Sequence, residues 1–432
     1  MAKIIDLEDN LLWSSKPEIA KFKKDFTLTL KDFLADQNSS FLSFCPDKFD
    51  EEELIIKVEN GLVTTGNFVG YFNFAGQGIN IKSRFGEVFL QRMLNFANDV
   101  FIDDYQSPAK IQKNNQDFAK FILFYLFVSK LEKVMILGIP RSYQSKNYHQ
   151  STLIGKLNTK EFIRRDLPFG GKISSTNREQ SEVACIVNVI YTALKIVQKS
   201  GFNVLNLTRI LNTLGPLRSN FNISDISKAI NHKALLNPIF SPFKQVLEYA
   251  KLIILNDNLE HDKNSKQNAP SFIVNIASLF ELYITKLLGL YFPDWGVGNQ
   301  KIELYKNNFY SRRIIPDIVM TRGNDVLIFD TKYKRMNLTP KGANSLGDVC
   351  REDFFQIHTY MSYYQNKESN LIAGGLLYPL NKFNKALCYS ESFFDNKNVK
   401  FIIDGVLISQ TLKELLANES EFIQRIRSLI DR

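Results

Sequence analysis

The chain has 432 residues, 44% hydrophobic and 23% charged, with 54 Lys and Arg against 45 Asp and Glu for a formal net charge of +9. That length suits two or three domains, each able to bury a core, with the composition of a soluble globular protein. The positive charge admits a polyanionic partner such as nucleic acid, although a basic surface alone does not establish one. The cysteines (Cys45, Cys185, Cys350, Cys388) are scattered, with no CxxC, and there are only 4 histidines. This pattern argues against structural zinc and against a histidine metal cage, and free thiols fit a reducing cytoplasm. The charged N-terminus carries no signal peptide. The longest apolar run, Phe121 to Val128, is far too short to cross a bilayer. The expectation is a cytoplasmic protein with no membrane contact.

In chain order, residues 1 to about 60 mix short apolar segments with charged clusters and read as a small domain. Asn67 to Lys82 is strand-like and broken by Gly76 and Gly78, a hairpin turn rather than a phosphate loop, because no third glycine and helix follow. Phe85 to Asn98 has helical spacing, and Asp117 to Leu137 reads as a helix apolar nearly all round. Arg141, Lys146, Lys156, Lys160, Arg164, Arg165, Lys172 and Arg178 then form a basic stretch. It reads as a solvated face, or as a surface for phosphate or a protein partner. Glu179 to Lys199 is predicted helical, as are about 205–214 and 222–255, the last interrupted by Pro238 and Pro242. The polar run Asn256 to Asn268, closed by Pro270, has linker composition. These shifts divide the chain into a mostly β region at 1–115, a helical region at 116–255, a linker at 256–270 and a C-terminal domain at 271–432.

After the linker, Phe272 to Leu290 reads as a helix with Glu281 at the edge of its apolar stripe. Ile314 to Met320 and Val326 to Tyr333 read as strands. Gly323-Asn324 between them suits a two-residue hairpin turn with positive φ at its first position. That turn pairs Arg322 with Asp325 and sets Asp317 opposite Asp330. By strand alternation Ile315, Asp317 and Val319 share a face with Ile328, Asp330 and Lys332. Like charges across a ladder cost about 0.2–1 kcal/mol when exposed, and more when buried. Apolar strands that build such a pair call for a compensating cation, and a divalent metal is the natural candidate. A plain Asp330–Lys332 salt bridge is the bland alternative. Asp353 to Tyr364 then reads as a helix on which Gln356 and Tyr360 share a face. Leu371 to Tyr378 reads as a strand ending at Pro379, Val399 to Ile403 as another, and Phe422 to Ile430 as a closing helix. The order is α/β around a mixed sheet.

The pattern Pro316-Asp317, Asp330-x-Lys332, with Glu281 on the preceding helix and Gln356-x-x-x-Tyr360 on the following one, resembles the PD-(D/E)xK nuclease superfamily. Within it the chain is similar to McrC-type, LlaJI-like restriction subunits. The likeness extends loosely upstream through Phe68-Val-Gly-Tyr71, Ile79-Asn-Ile-Lys82, the helix at Phe118–Leu137 and Arg164-Arg165. The resemblance implies a multi-domain α/β chain, with an N-terminal mixed β and helical region followed by a PD-(D/E)xK nuclease domain whose central mixed sheet is flanked by helices. It implies a DNA endonuclease subunit of a GTP-dependent McrBC-like restriction system, acting on double-stranded DNA. Its N-terminal part would dock on an AAA+ GTPase of the McrB type and stimulate it. GTP would be bound by that partner, which agrees with the absence of a Gly-x-x-x-x-Gly-Lys-Ser/Thr loop. Phe169-Gly-Gly-Lys-Ile-Ser174 is the nearest approach to one.

On this reading Asp317, Asp330 and the Thr331 carbonyl bind Mg²⁺, with Glu281 ligating directly or through water. Lys332 orients or deprotonates the attacking water or stabilises the phosphorane oxygens. Gln356 and Tyr360 position the site, and Lys334 and Arg335 contact the DNA backbone. The competing readings are a non-catalytic GTPase-stimulating assembly factor and a stand-alone repair or phage-type nuclease.

Overall fold

The computed structural model describes residues 5–12, 14, 25–35, 39–42, 51–74, 77–97, 117–200, 207–261, 271–304, 313–334, 336–338, 349–366, 369–383, 389–394 and 396–431. The chain divides into two compact units, one of Met1–Asp103 with Ser271–Arg432 and one of Asp104–Pro270.

The first stretch supplies β1 (Ile5–Glu8), β2 (Phe26–Thr29), α1 (Leu30–Leu34), β3 (Ser39–Leu42), β4 (Leu54–Glu59), β5 (Leu62–Thr65), β6 (Phe68–Phe74), β7 (Gln77–Lys82) and α2 (Glu87–Ala97). The middle stretch supplies α3 (Asp117–Met135), β8 (Arg141–Gln150), β9 (Lys156–Leu157), α4 (Thr159–Arg165), β10 (Ile173–Glu182), α5 (Ala184–Lys199), α6 (Leu207–Leu214), α7 (Ser224–Ile230) and α8 (Phe243–His261). The last stretch begins with β11 (Ser271–Asn275), α9 (Ile276–Tyr291), β12 (Gly296–Gly298), β13 (Ile302–Glu303), β14 (Arg313–Ile314), β15 (Ile318–Arg322) and β16 (Asp325–Thr331). It closes with β17 (Met336–Leu338), α10 (Arg351–Gln365), β18 (Asn370–Phe383), β19 (Tyr389–Phe393), β20 (Asn396–Leu407) and α11 (Leu412–Ile430).

In the first unit, β6 and β7 form the expected hairpin, pairing Phe74 with Gln77. Gly76 lies outside the described residues. The sheet containing them has the order β1-β7-β6-β11-β3. Its strand β11 corrects the helix predicted from Phe272. Phe272, Ile273 and Val274 are the bulky and β-branched residues a pleated surface favours, and they pair with β3 on one side and β6 on the other. Asn275 ends the strand, and its side chain accepts from the Ser278 amide at 3.0 Å, which caps α9.

The second sheet of this unit has the order β12-β15-β16-β18-β20-β19, with β17 also paired to β18. β15 and β16 are interior strands, as their apolar runs on both faces require. Val326 and Ile328 pack with Ile357, Tyr360 and Met361 of α10. The alternate residues Leu327 and Phe329 are buried on the opposite side. α9 packs against β12 and β16, and α11 against β18 and β20. β16 and β18 are parallel, so the chain crosses over between them through α10.

β18 continues through Pro379 rather than stopping there. β16 pairs with it as far as Leu377 and β17 from Leu380. Pro379 sits in the gap between those partners, where its missing N–H deprives no acceptor.

In the second unit, β8 and β10 form a long antiparallel ladder from Arg141↔Glu182 to Gln150↔Ile173. Glu179 to Glu182 therefore belong to a strand, and α5 begins only at Ala184. The basic stretch is spread over this ladder, β9, α4 and the residue before β10, and on the ladder Arg141 pairs with Glu182 at 3.0 Å and Lys146 with Glu179 at 3.5 Å. α5 buries Ile186, Val187, Val189, Ile190, Ala193, Leu194 and Val197 and packs against α6, α7 and α8. α8 continues to His261, so the first part of the polar run is helical. Residues 262–270 lie outside the described part. Among the described residues, no helix is long and apolar enough to cross a membrane.

Candidate active site

The Gly323-Asn324 turn forms, with φ of +61° at Gly323. Ladder pairs run from Arg322↔Asp325 to Ile318↔Phe329. This is the register expected from the sequence, and Asp317 stands one residue beyond its last pair. The Asp317 carboxylate turns onto the end of β16: its Oδ2 accepts from the Thr331 amide and from Thr331 Oγ1, both at 2.8 Å. Asp330 is fully buried at the last inward position of that strand.

Lys332 joins these carboxylates to α10. Its Nζ lies 2.7 Å from Asp330 Oδ2 and 3.7 Å from Asp353 Oδ1. It donates to Gln356 Oε1 at 2.9 Å. Gln356 Nε2 donates to Tyr360 OH at 2.8 Å, and Tyr360 OH donates to the Ile315 carbonyl at 3.4 Å. The four-residue spacing of Gln356 and Tyr360 thus serves one continuous chain of hydrogen bonds, which returns to the segment just before Asp317.

The electrostatics are set by excess acid. Burial lowers the Lys332 pKa, but the charges of Asp330, Asp353 and Asp317 together with the Asp330 hydrogen bond outweigh it, and the net shift is upward. Lys332 is held as an ammonium. Burial also pushes the Tyr360 hydroxyl up, reinforced by Asp330 and Asp317.

Asp353 is the residue that sequence reasoning missed. It is 6% exposed and takes Lys334 Nζ at 2.7 Å as well as Lys332. Its signal was its place in the first turn of α10, three residues before Gln356 and so on the same face. Lys334, expected on DNA, is engaged here with Asp353. Arg335 lies outside the described residues. Glu281 is buried on α9, beside Phe280, whose ring packs at 5.8 Å against that of Tyr333.

Tyr333, immediately after the lysine, is held from the N-terminal stretch. Its hydroxyl lies 3.2 Å from Ser83 Oγ, and its carbonyl accepts from Arg84 Nη2. Arg84 in turn pairs with the buried Asp9 at 3.6 Å. These supports are long-range and have no local signature.

Asp317, Asp330 and Asp353 all act on Lys332, and Lys334 joins the cluster at Asp353. Among the described residues no group of three or more His, Cys, Asp or Glu side chains could hold a metal ion. Mg²⁺, however, keeps several waters and is commonly bound through one or two carboxylates. Asp317, Asp330 and the Thr331 carbonyl would supply oxygen donors of that kind, and Asp330 Oδ2 also lies 2.7 Å from Lys332 Nζ. The donor chemistry fits a hard divalent ion.

No curated protein matches the chain in sequence. A chain from the refined half-complex of the tetradecameric assembly of Thermococcus gammatolerans McrB AAA+ hexamers with bound McrC shares the fold. Its TM-score is 0.53 at 16% identity, covering 98% of this chain and 100% of that one. A second, from the cryo-EM structure of the Thermococcus gammatolerans McrBC complex, has a TM-score of 0.35 at 16% identity, covering 67% and 88%. Residues 63–379 match the family described as McrBC 5-methylcytosine restriction system component, a span that includes the hairpin, Lys332 and the Gln356–Tyr360 helix, and the chain belongs to that family.

Proposed function

We propose that this chain is the Mg²⁺-dependent endonuclease subunit of a GTP-dependent restriction system, hydrolysing phosphodiester bonds in double-stranded DNA. The observation that carries the reading is the convergence of Asp317, the fully buried Asp330 and Lys332 at the end of one hairpin. A buried carboxylate and a half-buried ammonium are costly to assemble, and such clusters concentrate at functional sites.

Asp317 and Asp330, with the Thr331 carbonyl, would hold Mg²⁺, and Glu281 would complete the set directly or through water. When bound, the ion supplies Lewis acidity and neutralises charge on the scissile phosphate. Lys332, kept protonated by its acidic neighbours, donates hydrogen bonds to the attacking water or to the phosphate oxygens. A proton-accepting role suits it less, because the same acids oppose its deprotonation. Gln356 fixes the ammonium from one side and Tyr360 fixes Gln356, so both are positioning residues. Asp353 holds Lys332 and Lys334 together.

Membership of the McrBC family and the fold shared with a chain from the assembly of McrB AAA+ hexamers with bound McrC support an AAA+ GTPase of the McrB type as partner. Nucleotide hydrolysis would then belong to that partner. Plasmid cleavage by the chain with its GTPase, GTP and Mg²⁺ tests the reading. Cutting that needs all of them and disappears in Asp317→Ala supports it. GTPase stimulation with no cleavage under any of these conditions would instead favour a non-catalytic assembly factor.

A further inference from the structure

In the second unit, α5 carries the half-buried Tyr191 beside the turn that follows α6. Two concavities of about 390 and 510 Å³ open there, and both are lined by Tyr191, Lys195 and Arg218. They are therefore two lobes of one groove, divided by the tyrosine ring and its two cations. One lobe adds Thr192, Ser219 and Asn220; the other adds Thr208, Asn212 and Gln198.

The Arg218 guanidinium carbon lies 4.8 Å from the ring centroid and Lys195 Nζ lies 5.9 Å from it. Lys195 hydrogen-bonds Gln198 Oε1 at 2.9 Å. Among the described residues neither cation is paired with a carboxylate, although like charges brought together repel. The turn bearing Arg218 is fixed from beneath. Asn188, 3% exposed, accepts from the Ser219 amide and donates to Ser219 Oγ, both at 2.9 Å. It also donates to Asp225 Oδ2 at 3.2 Å.

We propose that this groove binds the phosphodiester backbone of a nucleic-acid strand, with Lys195 and Arg218 each taking a phosphate at the divide and the flanking nucleotides lying in the two lobes. A lone small anion would need only the cations. Lobes on both sides of them, lined by hydroxyl and amide groups that hydrogen-bond phosphate and sugar, suit a ligand that continues in both directions. This contact is distinct from the hairpin site and stands whether or not the hairpin cuts.

The test is fluorescence anisotropy of the full chain with labelled single-stranded and duplex oligonucleotides in EDTA, where cleavage cannot intervene. Lys195→Gln with Arg218→Gln should weaken binding about tenfold or more. It should also reduce the slope of log K against log salt by between about 1 and 2, as expected for the loss of two phosphate contacts. Lys195→Gln alone, at an exposed side chain, should give roughly half the slope change and an unaltered melting curve. Lys397→Gln with Lys413→Gln, which removes the same charge from the other unit, should have little effect. Affinity and slope unchanged in the groove variants, or changed equally in the control pair, would overturn the proposal. So would inorganic phosphate or a mononucleotide competing as well as the strand itself, which would mark a small-anion site.

Discussion

Arg92 and Glu419, 327 positions apart, meet in a buried two-pronged ion pair, Nε to Oε1 and Nη2 to Oε2, each at 2.8 Å. Tyr283 OH donates to the same Glu419 Oε1 at 2.7 Å. The pair ties α2 to α11, and the tyrosine adds α9, the helix that carries Glu281. Removing one partner leaves an uncompensated charge in the core. Arg92→Ala should therefore lose about 3–5 kcal/mol in a urea titration. A loss under about 1 kcal/mol, the range of exposed pairs, would show that the carboxylate finds water or another donor.

Asp353 should act on the reaction through Lys332. Asp353→Asn keeps the shape of the side chain but removes one of the charges that steady the ammonium. Supporting residues of this kind typically cost 10–100-fold when changed, and a loss of about that size in single-turnover cleavage is expected, with the melting temperature little altered. Lys334→Gln should cost less, because Lys332 keeps its contacts with Asp330 and Gln356. Equal losses in the two variants would contradict the separation of their roles.

Two glycines should answer the same substitution differently. Gly323 has a φ of +61° and open space where a Cβ would point, so Gly323→Ala carries only the backbone penalty, about 1–2 kcal/mol. At Gly375 a Cβ would lie 2.0 Å from the Ile402 carbonyl oxygen in the neighbouring strand. Gly375→Ala should therefore disrupt the β18–β20 pairing and cost substantially more. Denaturant midpoints compare them, and a Gly375→Ala midpoint at or above that of Gly323→Ala would refute the close approach.

The β8–β10 arm should weaken in acid. Asp166 ends α4 and accepts from the Ser174 amide at 2.6 Å and faces His149 Nε2 at 2.9 Å. Burial pushes its carboxyl up, but the Ser174 and His149 interactions together outweigh that and hold it below the usual aspartate value. A depressed folded pKa contributes stability that is present above the unfolded value, about 3.9, and lost as pH falls through the folded one. Hydrogen exchange at the Ser174 amide should accelerate in that acid range. In Asp166→Asn it should be fast already near neutrality and lose this pH dependence. An arm equally protected in both proteins at every pH would contradict the linkage.

The hairpin was legible because its determinants are local. Gly323-Asn324 selects the turn, the turn selects the register, and alternation then puts Asp330 and Lys332 on the face that α10 covers. Gln356 and Tyr360 were legible for the same kind of reason, a four-residue spacing on one helix. Strand β11 was not, since Phe272-Ile-Val274 runs straight into a genuine helix and only pairing with β3 and β6 distinguishes it. The Arg84–Tyr333 and Arg92–Glu419 contacts were equally hidden. Each joins residues far apart in sequence, and no periodicity connects them. Asp353 lay between these cases: its helix face was readable, but its two lysine partners depend on how α10 meets the end of β16.

The central claim is that Asp317, Asp330 and Lys332 form the centre that cuts DNA. The most direct test is plasmid cleavage by Lys332→Ala with the GTPase partner, GTP and Mg²⁺, with GTPase stimulation followed in the same reaction. The expected result is loss of cutting with stimulation of the partner retained. Undiminished cutting by Lys332→Ala would contradict the account.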